Sequence, residues 1–180
     1  MRIFLQILGL IILLPAIALL TIKFDKQNND GPSILFPGGE LTSGELHQGP
    51  EPDWSFTDSV PIVELQISEP LSSRRIFVME SGGKVYVPSG YMRSTLGRIW
   101  KEWAFQAVEG DGLAVVRIDG KRYERQLVRI DSGPEVKGIV AKMTQKYAGG
   151  TTPENMKEGI ESIQNGDTWI FELAPRGAES

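Results

Sequence analysis

Between Ser81 and Lys101 the chain carries four basic residues, Lys84, Arg93, Arg98 and Lys101, and no acidic one. Its surroundings are acidic. The whole sequence has 19 Lys and Arg against 23 Asp and Glu, a formal net charge of −4. Setting aside Arg2 and Lys23 of the N-terminal segment leaves 17 against 23, or −6. A basic run at a strand end and helix start suits an anionic small-molecule ligand, because the free backbone N–H groups of a helix start add to the pull of the side-chain cations. The alternative is a solvated helix face that balances charge locally, since such runs are common and this one has no fixed spacing. The net negative charge argues against nucleic acid as a partner.

Other chemistry is scarce. Cysteine is absent, which excludes disulfides, zinc–thiolate sites and thiol nucleophiles. The one histidine, His47, lies in a Gly/Pro-rich region, so a multi-histidine metal site is excluded and a serine–histidine pair would have to use this residue. A lone loop histidine is usually just solvated, and no Gly-x-Ser-x-Gly nucleophile motif accompanies it. No catalytic residue and no metal ligand is assigned.

The elements that position the basic run are legible from periodicity. Val85-Tyr86-Val87 is a short apolar run closed by Pro88-Ser89-Gly90, which predicts a strand ending there. Leu96, Trp100, Trp103 and Ala107 recur at spacings of four, three and four, the stripe of one amphipathic helix. Gly110-Asp111-Gly112 stops that helix. Residues 113–118 alternate as a strand, Asp119-Gly120 signals a tight hairpin, and residues 122–130 return as the partner. Upstream, residues 63–67 alternate as a strand. Arg75 to Glu80 forms another, turned by Ser81-Gly82-Gly83. Downstream, Val136, Ile139, Val140, Met143 and Tyr147 mark a second amphipathic helix. Thr152-Pro153 caps a third that runs to about Gln164, and residues 168–173 form a last strand.

The N-terminal part reads differently. Residues 3–22 hold only Gln6 and Thr21 as clearly polar members, enough for a helix of about 30 Å, the thickness of a bilayer core. A single-pass transmembrane anchor over 1–24 is the expectation. A signal peptide cut after Ala16-Ile17-Ala18 is the alternative. The very short tail before it points to a domain outside the cytoplasm. Residues 25–59 form a Gly/Pro-rich linker and wrapping arm, and Trp54 is expected to plug one end of the domain, or else to line a ligand site with Asp53, Ser55 and Phe56. The domain proper spans 60–176, with a loose tail at 177–180.

Six strands, with a helix between the third and fourth and another before the last, suggest a mainly β, α+β fold: a six-stranded antiparallel barrel with capping helices. This order resembles the split β-barrel of the pyridoxamine-phosphate-oxidase-like and deazaflavin-dependent nitroreductase families. The residues that carry the likeness are Lys84-Val85-Tyr86-Val87-Pro88-Ser89-Gly90, Trp100-Lys101, the run from Val115 to Glu124, Lys146-Tyr147, and the strand from Trp169 to Leu173 followed by Pro175-Arg176. Pro37-Gly38-Gly39-Glu40-Leu41 and Asp53-Trp54-Ser55-Phe56 look like an uncharacterised, membrane-anchored branch. The resemblance covers roughly residues 60–176. It implies an FMN or deazaflavin (F420-type) cofactor that does the redox work. It also implies a homodimer, and phosphate binding by Arg75, Ser89, Arg98 and Lys101. The serine and the basic residues are spread over a longer loop, 90–97, than in those families. Two functions follow: a flavin- or deazaflavin-dependent oxidoreductase, or a non-catalytic membrane-tethered binding or interaction module that has lost its cofactor.

Overall fold

The computed structural model describes residues 6, 9, 11–18, 20–21, 29–34 and 36–177. One antiparallel sheet dominates. Its strands are β1 (Glu45–Leu46), β2 (Ile62–Ile67), β3 (Ser72–Phe77), β4 (Met79–Ser81), β5 (Lys84–Ser89), β6 (Leu113–Ile118), β7 (Lys121–Ile130) and β8 (Trp169–Pro175). Seven of them follow the order β3-β2-β6-β7-β8-β5-β4, and β1 pairs with β7 in parallel. The helices are α1 (Thr95–Trp100), α2 (Glu102–Glu109), α3 (Glu135–Tyr147) and α4 (Pro153–Gln164), with a 3-10 helix at Trp54–Ser59.

The two end strands of that order, β3 and β4, are consecutive in the chain and separated only by Val78. The sheet therefore curls into a half-barrel whose two edges are one bent strand. This corrects the expected count of six strands. The run read as a single strand from Arg75 to Glu80 is two strands that change partner at Val78, and β1 lies in the arm where no alternation marks it. The bend leaves the Val78 backbone without sheet partners, and a buried backbone group must find others. The end of α3 supplies them. The Val78 N–H donates to Tyr147 Oη at 3.1 Å, and Lys146 Nζ donates to the Val78 carbonyl at 2.7 Å. Lys146 also donates to the carbonyls of Thr57 and Val60, at 2.6 and 2.7 Å, which uses all three ammonium protons.

Strand pleating separates two cores. The inner face of the half-barrel buries residues such as Leu65, Val87, Val116, Phe171 and Leu173. On the outer face, α3 and α4 cover Met79, Tyr86 and Ile170 with Val136, Ile139, Val140 and Ile163. The hairpin turn forms as expected, with Asp119 and Gly120 at φ 47° and 77°. Thr152 caps α4, accepting from the Asn155 N–H at 3.1 Å. Strand β5 ends at Ser89, within the expected Pro88-Ser89-Gly90 stop, and takes in Pro88. At that level β5 pairs with β8 but lies beyond its pairing with β4, so the missing N–H is tolerated.

The arm is fastened down. Arg117 holds it through Asp30 and the Ser43 carbonyl, and Arg122 donates to the carbonyls of Leu41 and Gly44. Leu41 is buried, and its N–H donates to Gln66 Oε1 at 2.7 Å. Trp54 is buried at one end of the barrel against Tyr123, with the Arg125 guanidinium 4.7 Å from its ring.

The expected transmembrane anchor is overturned, and with it the single-pass membrane localisation. Among the described residues no helix is long and apolar enough to cross a membrane. Residues 11–18 of that segment are helical, whereas 1–5, 7–8, 10, 19 and 22–28 lie outside the described residues.

Candidate functional site at the helix-capped mouth

The helix expected over the tryptophan stripe is broken at Lys101 into α1 and α2. Ser94 starts α1, its Oγ accepting from the Gly97 N–H at 2.8 Å. Gly97 lies so close to the Tyr91 carbonyl that a Cβ there would stand 1.7 Å from its oxygen. Beyond the break, α2 turns Trp103, Ala104 and Ala107 into the barrel end opposite Trp54. The break therefore splits the predicted stripe, burying Trp103 and leaving Trp100 73% exposed.

The mouth that α2 caps is lined by rings and cations. Trp103 packs on Phe171 with centroids 5.4 Å apart, and Phe105 meets Trp169 edge-on at 4.8 Å. Three guanidiniums lie on these rings: Arg129 is 3.9 Å from the Trp169 centroid, Arg74 is 5.5 Å from Trp103, and Arg98 is 6.0 Å from Phe105. Pairing puts Arg129 opposite Phe171 and Arg74 opposite Leu65, so both belong to inward-facing rows. Among the described residues Arg74, Arg98, Lys101 and Arg129 form no salt bridge. Burial pushes Arg74 down to about 10, offset in part by the Glu102 carboxylate. Its buried Nε has no hydrogen-bond partner. Burial likewise lowers Lys101, and the positive charge of Arg74 lowers it further. Like charges held together in a partly dry site are relieved by a bound anion. A guanidinium stacked on a ring keeps its N–H edge available for one.

The structure places the four expected phosphate-binding residues in three settings. Arg98 and Lys101 stand at the mouth. Ser89 is there too, opposite Trp169 in the β5–β8 pairing, but it is wholly buried and its Oγ contacts Met92 Sδ at 3.2 Å. Arg75 lies on the outer face of β3, opposite Glu64, while its neighbour Arg74 faces inward. One step along a strand exchanges the two faces. Arg74, Arg129, Phe105 and Trp169 are not among the site residues expected from the sequence. Alternation through Tyr123, Arg125, Leu127 and Arg129 is the signal that puts Arg129 on the inner row. Lys146 has its protons on carbonyls, and His47 lies tilted against Tyr123, ring centroids 5.1 Å apart, with Nε2 2.9 Å from the Pro50 carbonyl oxygen.

No protein-family model matches the chain, and neither does any curated protein. Among solved structures it is similar to the crystal structure of the conserved hypothetical protein Rv2991 from Mycobacterium tuberculosis. The TM-score is 0.51 at 14% identity, covering 67% of this chain and 76% of that one. That likeness concerns the fold: an antiparallel half-barrel with helices.

Proposed function

We propose that this chain is a ligand-binding half-barrel whose capped mouth takes a planar aromatic anion, with phosphate-bearing flavins and deazaflavins as the ligand class. The observation that carries this is the pair of guanidiniums without a salt bridge among the described residues, Arg98 and Arg129, set 6.0 and 3.9 Å from two rings that touch each other, Phe105 and Trp169. The residues present fit such a group through Arg98, Lys101 and Arg129, and not through Arg75 or the buried Ser89. The cations neutralise the phosphate, and the aromatic wall offers a face for a ring system. In this reading the chain binds and orients, and any redox chemistry is the cofactor's. Membership of the split-barrel superfamily belongs to the same proposal. A binding module without redox activity is the second reading. It is favoured by the burial of the Ser89 hydroxyl, which takes one expected phosphate ligand out of reach.

The test is titration of flavin mononucleotide, flavin adenine dinucleotide and a deazaflavin into wild type and an Arg98→Ala, Arg129→Ala double variant. Each charge-assisted bond is worth about 1.5–3 kcal/mol, so affinity should fall at least roughly tenfold. Both side chains are exposed, and the fold should survive. Equal affinity in the two proteins moves the site elsewhere. No binding to wild type at millimolar ligand sinks the proposal.

A further inference from the structure

A second site is built on the outer face of the sheet, where part of the arm stands over β2, β3 and β6. Residues 29–34 and 36–39 come together at their ends. The Gly39 N–H donates to the Asn29 carbonyl at 3.0 Å, Gly38 pairs with Ser73 of β3, and a Cβ on Gly38 would stand 1.9 Å from the Gly31 carbonyl oxygen. Ser33 braces the loop by accepting from the Phe36 N–H at 2.9 Å. Between this loop and the sheet is a cleft of about 440 Å³, within the size range of small-molecule sites. Pro32 and Ile34 wall it on the loop side, and Val60 and Ile62 on the sheet side. Ile34 is 81% exposed at the rim of this loop, an apolar side chain left in water by a segment that is otherwise pinned.

The charges in the cleft are of two kinds. Glu64 and Arg117 are bound to each other at 2.6 Å, and Arg117 also holds Asp30 at 2.8 Å, so those three satisfy one another. Arg75, on β3, and Asp119, in the β6–β7 turn, also line the cleft, and neither side chain has an ion-pair or hydrogen-bond partner among the described residues. Arg75 sits opposite Glu64 in register, but Glu64 is turned to Arg117. Arg75 is on β3 and Asp119 is in the turn that follows β6, two strand positions across the sheet, roughly 10 Å in the pairing direction. One free cation, one free anion and an apolar floor complement a ligand of the same make-up. A simple anion would meet Asp119, and a simple cation would meet Arg75.

We infer that this cleft binds a small zwitterion with an apolar body, its carboxylate on Arg75, its ammonium on Asp119, and its aliphatic part between Ile34 and Ile62. A free apolar amino acid and a short apolar peptide share that chemistry. The experiment is titration of the full chain, with isoleucine methyl groups labelled for NMR, using leucine, Leu-Leu, N-acetyl-leucine and leucine amide. Leucine or Leu-Leu should shift the Ile34 and Ile62 methyl signals saturably, and which of the two binds more tightly identifies the source. The acetylated and amidated forms should each bind at least roughly tenfold more weakly, the loss expected for one charged partner. Arg75→Gln and Asp119→Asn should each cause a similar loss for the zwitterion, and asparagine tolerates the left-handed backbone at 119. Unchanged methyl signals at 20 mM (about the weakest binding worth assigning) overturn the inference. So does equal binding of all four compounds, or wild-type affinity in both variants.

Discussion

Trp103 and Trp100 stand three residues apart on what the sequence presents as one stripe, yet the structure gives them opposite fates, which makes them a controlled pair. Trp103 is 2% exposed, packed on Phe171 and beneath Arg74. Withdrawing roughly 200 Å² of ring from water at about 25 cal/mol per Å² gives ~5 kcal/mol as an upper figure. Replacing such a side chain by alanine typically costs about 3–5 kcal/mol, cavity included. Trp103→Ala also strips the ring from a half-buried guanidinium whose Nε already lacks a partner, which places it toward the top of that range. Trp100, 73% exposed, should cost within about 0.5 kcal/mol. For a chain of this size each kcal/mol moves Tm by about 2–4 °C, so Trp103→Ala should melt at least roughly 6 °C lower and Trp100→Ala near wild type. Thermal and denaturant unfolding followed by far-ultraviolet circular dichroism reads both. Iodide quenching adds an independent check, because Trp100→Phe should remove most of the quenchable tryptophan emission. Equal destabilisation by the two alanine variants would show that α1 and α2 are one helix and that the break at Lys101 is not there.

The corner at Val78 offers a second test. Lys146→Met leaves the Thr57 and Val60 carbonyls without their donor and should cost about 3 kcal/mol in denaturant unfolding, whereas Tyr147→Phe should cost about 1 kcal/mol. Lys146→Arg should not restore stability, because a planar guanidinium cannot aim at three converging carbonyls as an ammonium does. Ligand binding at the mouth should depend on pH through Lys101. Its pKa lies below the usual lysine value, and the neutral form no longer attracts an anion, so affinity for a phosphate-bearing ligand should fall as pH rises through that lowered pKa, before 10.5 is reached. Lys101→Arg should lessen the fall, and calorimetric titrations at successive pH values would measure it. An undiminished affinity in wild type would take Lys101 out of the site.

Much of the local structure is decided by short-range chemistry and is therefore legible in the chain. Asp119-Gly120 adopts the backbone its turn demands, Thr152-Pro153 starts α4, and the alternation of residues 113–118 and 122–130 becomes the β6–β7 hairpin. Arg98 and Lys101 stand out because an acid-free basic run is a property of composition. What the sequence leaves open are the choices that depend on partners distant in the chain. Val78 carries no mark of a corner, because its change of partner is made possible by Lys146 and Tyr147, 68 and 69 residues away. The helix breaks at Lys101, and beyond the break Trp103 is buried against Phe171 on a distant strand while Trp100 stays exposed. Arg74 and Arg75 are adjacent and chemically alike. Only the register of β3 against β2 sends one toward Trp103 and the other toward the arm, because side chains on a pleated strand alternate with a period of two. Arg129 and Trp169 meet because β7 and β8 pair, although they are 40 positions apart with two helices between them. Residue type determined which groups could bind charge, and tertiary packing decided which of them face the same space.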